Sequence, residues 1–272
     1  MNRILMAVLF TAALQASALA ASHKAHHHKK TKTRSAKPVA AQAASKGKTG
    51  AIVTQGPVEP AKAKAETASP DTVALKPVTS KSGYLARMLI NEPAFPGEKG
   101  WVSEEDSKAA MLAMLWVCHS RLNHVPYGYT QRQVAATKTT DIIDILTAGG
   151  EKGQVDGFYR DKNGDFKILP RVLHRVDDIV KLANTGEPGR FSRLVQHAQG
   201  LADAYIKSGI QGADRYAELR MVNGVRVTGR AYSWMTDEDY YHPGGNFVRI
   251  PNDKEGSLGA NRFFTLKELR KK

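Results

Sequence analysis

Large apolar residues are almost absent from residues 22–82 and recur at regular spacings from Gly83 onward. In the stretch 84–96 (Y-L-A-R-M-L-I-N-E-P-A-F-P), Leu85, Met88 and Leu89 recur at helical spacing and Glu92 continues their stripe. This predicts a helix over 84–92. Pro93 disfavours helical dihedrals at the residue before it, so the helix is predicted to stop at Glu92. After a loop with Pro96, Gly97 and Gly100, Ser103 is placed to cap a second helix, with acidic residues in its first turn, running to about Leu122. From Ala109 to Cys118 this helix is apolar on every side, the pattern of a helix surrounded by protein. Its length and flanking charges do not suit a membrane span.

Shorter helices are predicted over 130–134 and 140–146, and longer ones over 171–183 and 191–206. Phe158-Tyr159 and 166–168 flank Asp161-Lys162-Asn163-Gly164-Asp165, whose Asn-Gly pair predicts a hairpin. That string also shares part of a calcium-loop pattern, but its Gly comes two places early and Val172 stands where a Glu ligand belongs, so the turn is preferred. A second hairpin is predicted over 221–228 around Asn223-Gly224, and short strands over 231–235, 247–250 and 262–266. Gly259 suits a close backbone approach, and strand alternation places one of Phe263 and Phe264 inward. The pattern as a whole reads as α+β, a mostly helical body with a small β-rich C-terminal part.

Composition divides the 272 residues further. Residues 1–20 have the form of a signal peptide, with Arg3, an apolar run over 4–14 too short to span a bilayer, and Ala18-Leu19-Ala20 as cleavage site. Export to the periplasm, cell wall or medium is therefore expected. Residues 21–82 read as a disordered linker rich in Ala, Lys and Pro, and 83–272 as one folded domain. Of the net charge of +14, residues 22–82 hold 12 Lys+Arg against 3 Asp+Glu, and the chain from Gly83 holds 27 against 23. The basic character thus belongs to the tail. In an exported chain it suits electrostatic contact with anionic envelope polymers rather than nucleic acid, and a plain solvated linker fits as well. The tail's His23 and His26-His27-His28 offer at most weak metal binding. Cys118 is the one cysteine, so an intrachain disulfide is impossible, and its apolar run makes it a core residue.

Glu92 carries the candidate chemistry. A carboxylate on the buried stripe at the end of a helix loses hydration, which disfavours its charged form and raises its pKa. A carboxyl group still protonated near neutral pH can donate to a leaving group. An ordinary helix-end glutamate reaching solvent is the alternative.

Three separated segments then resemble one family. Leu85-Ala86-Arg87-x-Leu89-x-x-Glu92 resembles the L-A-R-x-I-x-x-E opening of the spore-cortex-lytic type of cell-wall hydrolase. Residues 109–122 are similar to that family's long buried helix, and Leu258-Gly259-Ala260-Asn261-Arg262-Phe263-Phe264 to its closing I-G-x-H-x-F-Y. Gly157-Phe158 and residues 196–205 fit between them in order, so the resemblance spans about 83–266. Asn261 replaces the family's His, Ser120 its Asn, and the 127–189 insert is long, so the implied relation is distant. The resemblance implies a lysozyme-like fold, peptidoglycan glycan strands as substrate, no cofactor and no metal, and Glu92 as catalytic acid. In the lytic transglycosylase form one acid suffices. Hydrolysis needs a second carboxylate, for which Asp237, Glu238 and Asp239 are candidates, although a solvated acidic turn explains them too. Tyr232, Trp234, Tyr240 and Tyr241 are candidates for stacking on sugar rings, with Asn261 as a further substrate contact, and core packing accounts for some of the aromatics equally well.

Other classes fit less well. His119, His124, His174, His197 and His242 show no H-E-x-x-H or H-x-x-E-H spacing, which argues against a zinc amidase. No G-x-S-x-G is present for a Ser hydrolase. A non-catalytic envelope-binding module stays open, because a fold can outlive its activity. A cleft glutamate flanked by aromatics favours the enzyme, and a salt-bridged or filled site favours the binding module.

Overall fold

The computed structural model describes residues 72–185, 189–236 and 242–270. The contact pattern divides the chain into residues 1–63 and 64–272, and every described residue belongs to the second unit. The expected signal peptide, and the linker as far as residue 71, lie outside the described residues.

The fold is α+β. Helix α1 (Lys81–Asn91) starts earlier than the periodicity predicts, because Ser80 caps it: its Oγ accepts from the Gly83 amide at 3.1 Å. Tyr84, Leu85, Ala86, Met88, Leu89 and Ile90 are all fully buried, so protein covers α1 well beyond one stripe. Helix α2 (Glu104–Asn123) begins at the expected cap, with Ser103 Oγ accepting from the Asp106 amide at 3.0 Å. The short α3 (Gln131–Ala135) and α4 (Ile142–Thr147) follow. Next come the hairpin β1 (Phe158–Arg160) with β2 (Phe166–Ile168), then α5 (Pro170–Asn184) and α6 (Arg190–Ser208). Helix α1 packs chiefly on α6, and also on α5 and α2. Its Tyr84 hydroxyl donates to Lys167 O at 3.0 Å, tying α1 to the hairpin. Among the described residues, no helix is long and apolar enough to cross a membrane.

Both Asn-Gly turns form where expected. Asp161 Oδ1 accepts from the Asn163 and Asp165 amides at 2.8 and 3.0 Å, so this loop is closed on itself as a turn. The second hairpin pairs β3 (Met221–Val222) with β4 (Val225–Arg226). Asn223 and Gly224 both have positive φ, 46° and 78°, as a two-residue hairpin turn requires.

The C-terminal sheet is antiparallel, in the order β5 (Ser233–Thr236), β8 (Asn261–Leu266), β6 (Phe247–Arg249), and β7 (Ser257–Leu258) pairs with the start of β8. As the central strand, β8 is buried along its whole length. The expectation that only one of Phe263 and Phe264 turns inward is corrected, since both are 0% exposed. Phe263 joins the main core beside Trp234, its register partner. Phe264, on the opposite face, packs against the edge of the His242 ring with centroids 5.3 Å apart.

The folded unit also begins before residue 83. Val73 is buried, and its N–H and carbonyl both bond the Asn184 side chain, at 2.8 and 2.9 Å. Lys76 bonds Gln199 and Asp203 on α6. An Ala/Pro-rich composition does not reveal an anchor made by one valine and two backbone groups.

Candidate functional site

Helix α1 stops at Glu92, whose N–H still reaches Met88 O at 3.1 Å. Contrary to the pre-proline preference, Glu92 keeps helical dihedrals, φ −82° and ψ −43°. Tertiary contacts hold it there, since Asn261 Nδ2 donates to the Glu92 carbonyl at 2.7 Å. The helix ends because Pro93 has no N–H to extend the ladder. The following amide, of Ala94, turns instead to Gly259 O at 2.9 Å.

Two further elements fix this corner. Arg175 of α5 caps the orphan carbonyls of α1, donating to Ile90 O at 3.0 Å, Asn91 O at 2.7 Å and Pro93 O at 3.0 Å. Its charge is paired with Glu98, Nη2 to Oε2 at 2.6 Å. From the other side comes the β7–β8 turn, with Gly259 and Ala260 at φ 54° and 61°. A Cβ on Gly259 would stand 2.7 Å from Ala110 Cβ and 2.9 Å from Pro93 Cβ, so only glycine allows this approach. Asp106 Oδ2 accepts from the Gly259 amide at 2.7 Å.

The Glu92 carboxyl group is half-buried and makes no ion pair with the described residues. Trp234 Nε1 donates to Oε2 at 2.8 Å and Asn91 Nδ2 to Oε1 at 3.1 Å. Loss of hydration pushes its pKa above the usual carboxylate value. The bonds from Trp234 and Asn91 and the charge of Arg175 pull the other way, and the Asp156 charge adds to the rise. Cys118 is buried, and its thiol is pushed up to about 12, chiefly by burial, as the core reading expects.

The other expected site residues fare differently. Trp234 reaches Glu92 through its N–H. At 8% exposure it has too little free ring face to stack on a sugar, so its expected role is corrected from platform to hydrogen-bond donor. Tyr232 is 2% exposed and its hydroxyl donates to His124 O at 2.7 Å, which makes it a core residue and not a sugar platform. Asn261 is 1% exposed, and its amide is spent on the carbonyls of Glu92 and Gly259. It supports the corner from inside, and the expected role as an exposed substrate contact is corrected to that of a buried support. Asp237, Glu238, Asp239, Tyr240 and Tyr241 lie outside the described residues.

Sequence reasoning missed Arg175 and Asp156. Arg175 looks like any surface arginine on an amphipathic helix. Asp156 is an exposed carboxylate paired with Arg171 at 2.6 Å, and its influence on Glu92 arises from the fold alone.

Several grooves border these elements, and one of about 390 Å³ is lined by Phe95, Glu98 and Arg175. Another, of about 500 Å³, is lined by Asp106, Thr236, Ser257, Leu258, Gly259 and Ala260, alongside the turn that supports Glu92 but without Glu92 itself. A larger one, about 1350 Å³, opens at the end of α2 around His124, Tyr232 and the 224–228 turn, and Glu92 does not line it. Among the described residues, no group of three or more His, Cys, Asp or Glu side chains is arranged to hold a metal ion. Comparison with protein-family models, with curated proteins and with solved structures finds no match.

Proposed function

We propose that this chain is an exported peptidoglycan-cleaving glycosidase of lysozyme-like type, acting as a lytic transglycosylase with Glu92 as its acid. One observation carries the reading. Glu92 is a half-buried carboxyl group without an ion-pair partner among the described residues, held by an indole N–H, and its pKa is raised by burial. Such a group is still protonated when most surface carboxyl groups are ionised. The resemblance of 85–92, 109–122 and 258–264 to the spore-cortex-lytic family supports the same residue. Export is proposed from the pattern of residues 1–20, and contact with anionic envelope polymers from the basic tail.

In this mechanism Glu92 gives its proton to the glycosidic oxygen between N-acetylmuramic acid and N-acetylglucosamine, and the C1–O bond breaks. The C6 hydroxyl of the same muramoyl residue then bonds C1 and returns its proton to the Glu92 carboxylate. The products are a 1,6-anhydromuramoyl end and a free hydroxyl on the leaving sugar, and the enzyme recovers its proton. The Trp234 N–H stabilises the carboxylate that exists between the two proton transfers.

The nearby Asp156 supports a second reading, hydrolysis, in which its carboxylate activates a water. Digestion of purified peptidoglycan and mass analysis of the fragments separates the two. Anhydro ends are expected, reducing ends would move the assignment to hydrolysis, with Asp156 or one of Asp237, Glu238 and Asp239 as the second carboxylate, and an undigested polymer would overturn both.

A further inference from the structure

Arg121, in the last turn of α2, is 3% exposed, and no carboxylate among the described residues pairs with it. Its Nε donates to Tyr232 O at 2.7 Å, whereas its buried Nη1 has no acceptor among the described residues. The guanidinium lies over the Trp234 ring, 5.6 Å from the centroid. Burial brings Arg121 down only to about 10, so it is a cation at neutral pH. A buried charge without a counter-ion is costly to a fold, and replacing one with an apolar side chain of similar size is often neutral or stabilising. Its position relative to Glu92 suggests what the charge is for. The ring beneath the guanidinium is the one whose N–H holds the Glu92 carboxyl group.

We propose that Arg121 is a positioning residue for Glu92: it clamps the Trp234 indole and supplies the uncompensated positive charge that lets the carboxyl group release its proton. This rests on the reading of Glu92 as the acid. A proton donor must also let go, and burial alone makes the carboxylate form expensive. The charges that act directly on Glu92 are Arg175 of α5, already paired with Glu98, and Asp156 before β1, paired with Arg171. Cys118 lies within electrostatic range of both Glu92 and Arg121, and its thiol, pushed up to about 12, stays neutral. The Tyr232 phenol, likewise raised to about 12, is neutral too. Arg121 is therefore the cation of this pocket whose charge no described carboxylate cancels. Arg121 reaches Glu92 through Trp234: its guanidinium is 5.6 Å from the ring centroid, and the N–H of that ring is 2.8 Å from the carboxyl oxygen. Because the charge is positive, removing it raises the pH at which Glu92 ionises.

The experiment follows the Trp234 indole N–H by ¹⁵N NMR against pH in the full chain, with Trp234→Phe identifying its signal among the three tryptophans. In the wild type the signal should titrate with Glu92, and in Glu92→Gln that inflection should vanish. In Arg121→Met the midpoint should rise, with melting temperature unchanged or higher. Arg121→Lys, which keeps the charge, should stay near the wild-type midpoint. An unmoved midpoint in Arg121→Met, an equal shift in Arg121→Lys, or an unfolded Arg121→Met would each overturn the proposal. The readout needs no turnover, so it stands apart from the reading beneath it, which fails if Glu92→Gln digests peptidoglycan at the wild-type rate.

Discussion

Glu92 and Glu104 both stand at helix ends, twelve positions apart, and their surroundings treat them in opposite ways. Glu104, in the first turn of α2, accepts from Lys108 at 2.6 Å and from Arg193 at 2.8 and 3.0 Å. Those partners hold it well below the usual carboxylate range, at about 2. It is also at a helix N-terminus, where the backbone dipole favours a negative charge. Glu92 is at the other kind of end, where the dipole opposes a carboxylate, and the cation that caps its helix is spent on Glu98. Its own partners are two neutral N–H groups. A satisfied carboxylate is a structural part. An ionisable group that makes no ion pair with the described residues is the better candidate for moving a proton.

The comparison can be tested by attacking what keeps the two corners apart. The largest effect is expected from β8, the central strand that carries Asn261 to the Glu92 carbonyl. Phe263→Ala should cost about 3–5 kcal/mol by chemical denaturation, and Phe264→Ala a similar amount despite facing the other way. Wild-type stability of both variants would remove β8 from the core. Next comes Arg175→Ala, which leaves the carbonyls of Ile90, Asn91 and Pro93 without their donor and should cost about 2–3 kcal/mol. A cost no greater than that of an exposed pair such as Arg226–Glu268 would mean that the corner stands without it.

The paired Gln substitutions should then diverge in sign. Glu92 has a raised folded pKa, so its stabilising contribution is present at acid pH and is lost as pH rises through that pKa. Glu92→Gln should therefore match the wild type at acid pH and exceed it at neutral pH and above. Glu104 has a depressed folded pKa, so its contribution is present above about 4.5 and is lost as pH falls toward about 2. Glu104→Gln should cost up to about 1 kcal/mol at pH 7, since exposed pairs are weak, and less in high salt. Urea melts of both variants at acid and neutral pH check the two signs, and parallel behaviour would dissolve the contrast. The smallest effect is at the N-terminal anchor, where Asn184→Ala should cost about 1 kcal/mol by removing the bonds to Val73.

The divide between what was legible in the chain and what was not follows the range of the interactions. The Ser103 cap, both Asn-Gly turns, the buried run of α2 and the α+β class rest on neighbours within a few residues, and all were readable. Glu92 was readable too, as a carboxylate on an apolar stripe before a proline. What surrounds it was not. The indole of Trp234, the amide of Asn261, the guanidinium of Arg175 and the charge of Asp156 come from four separate segments. Tyr232 and Trp234 looked like sugar platforms because an exposed and a buried aromatic read alike in sequence, and it is the packing of β5 and the residue before it against α2 that buries them. Phe264 was misjudged for a related reason. Alternation marks a strand with one wet face, and β8 has none.

The central claim is that Glu92 supplies the proton, and the comparison of Glu92→Gln with wild type on purified peptidoglycan tests it most directly. The substitution keeps the side chain's shape and removes its transferable proton. The account predicts a fall in the rate of fragment release of roughly 10²–10⁴, in a variant that is at least as stable as the wild type at neutral pH. Digestion by Glu92→Gln at the wild-type rate would contradict it.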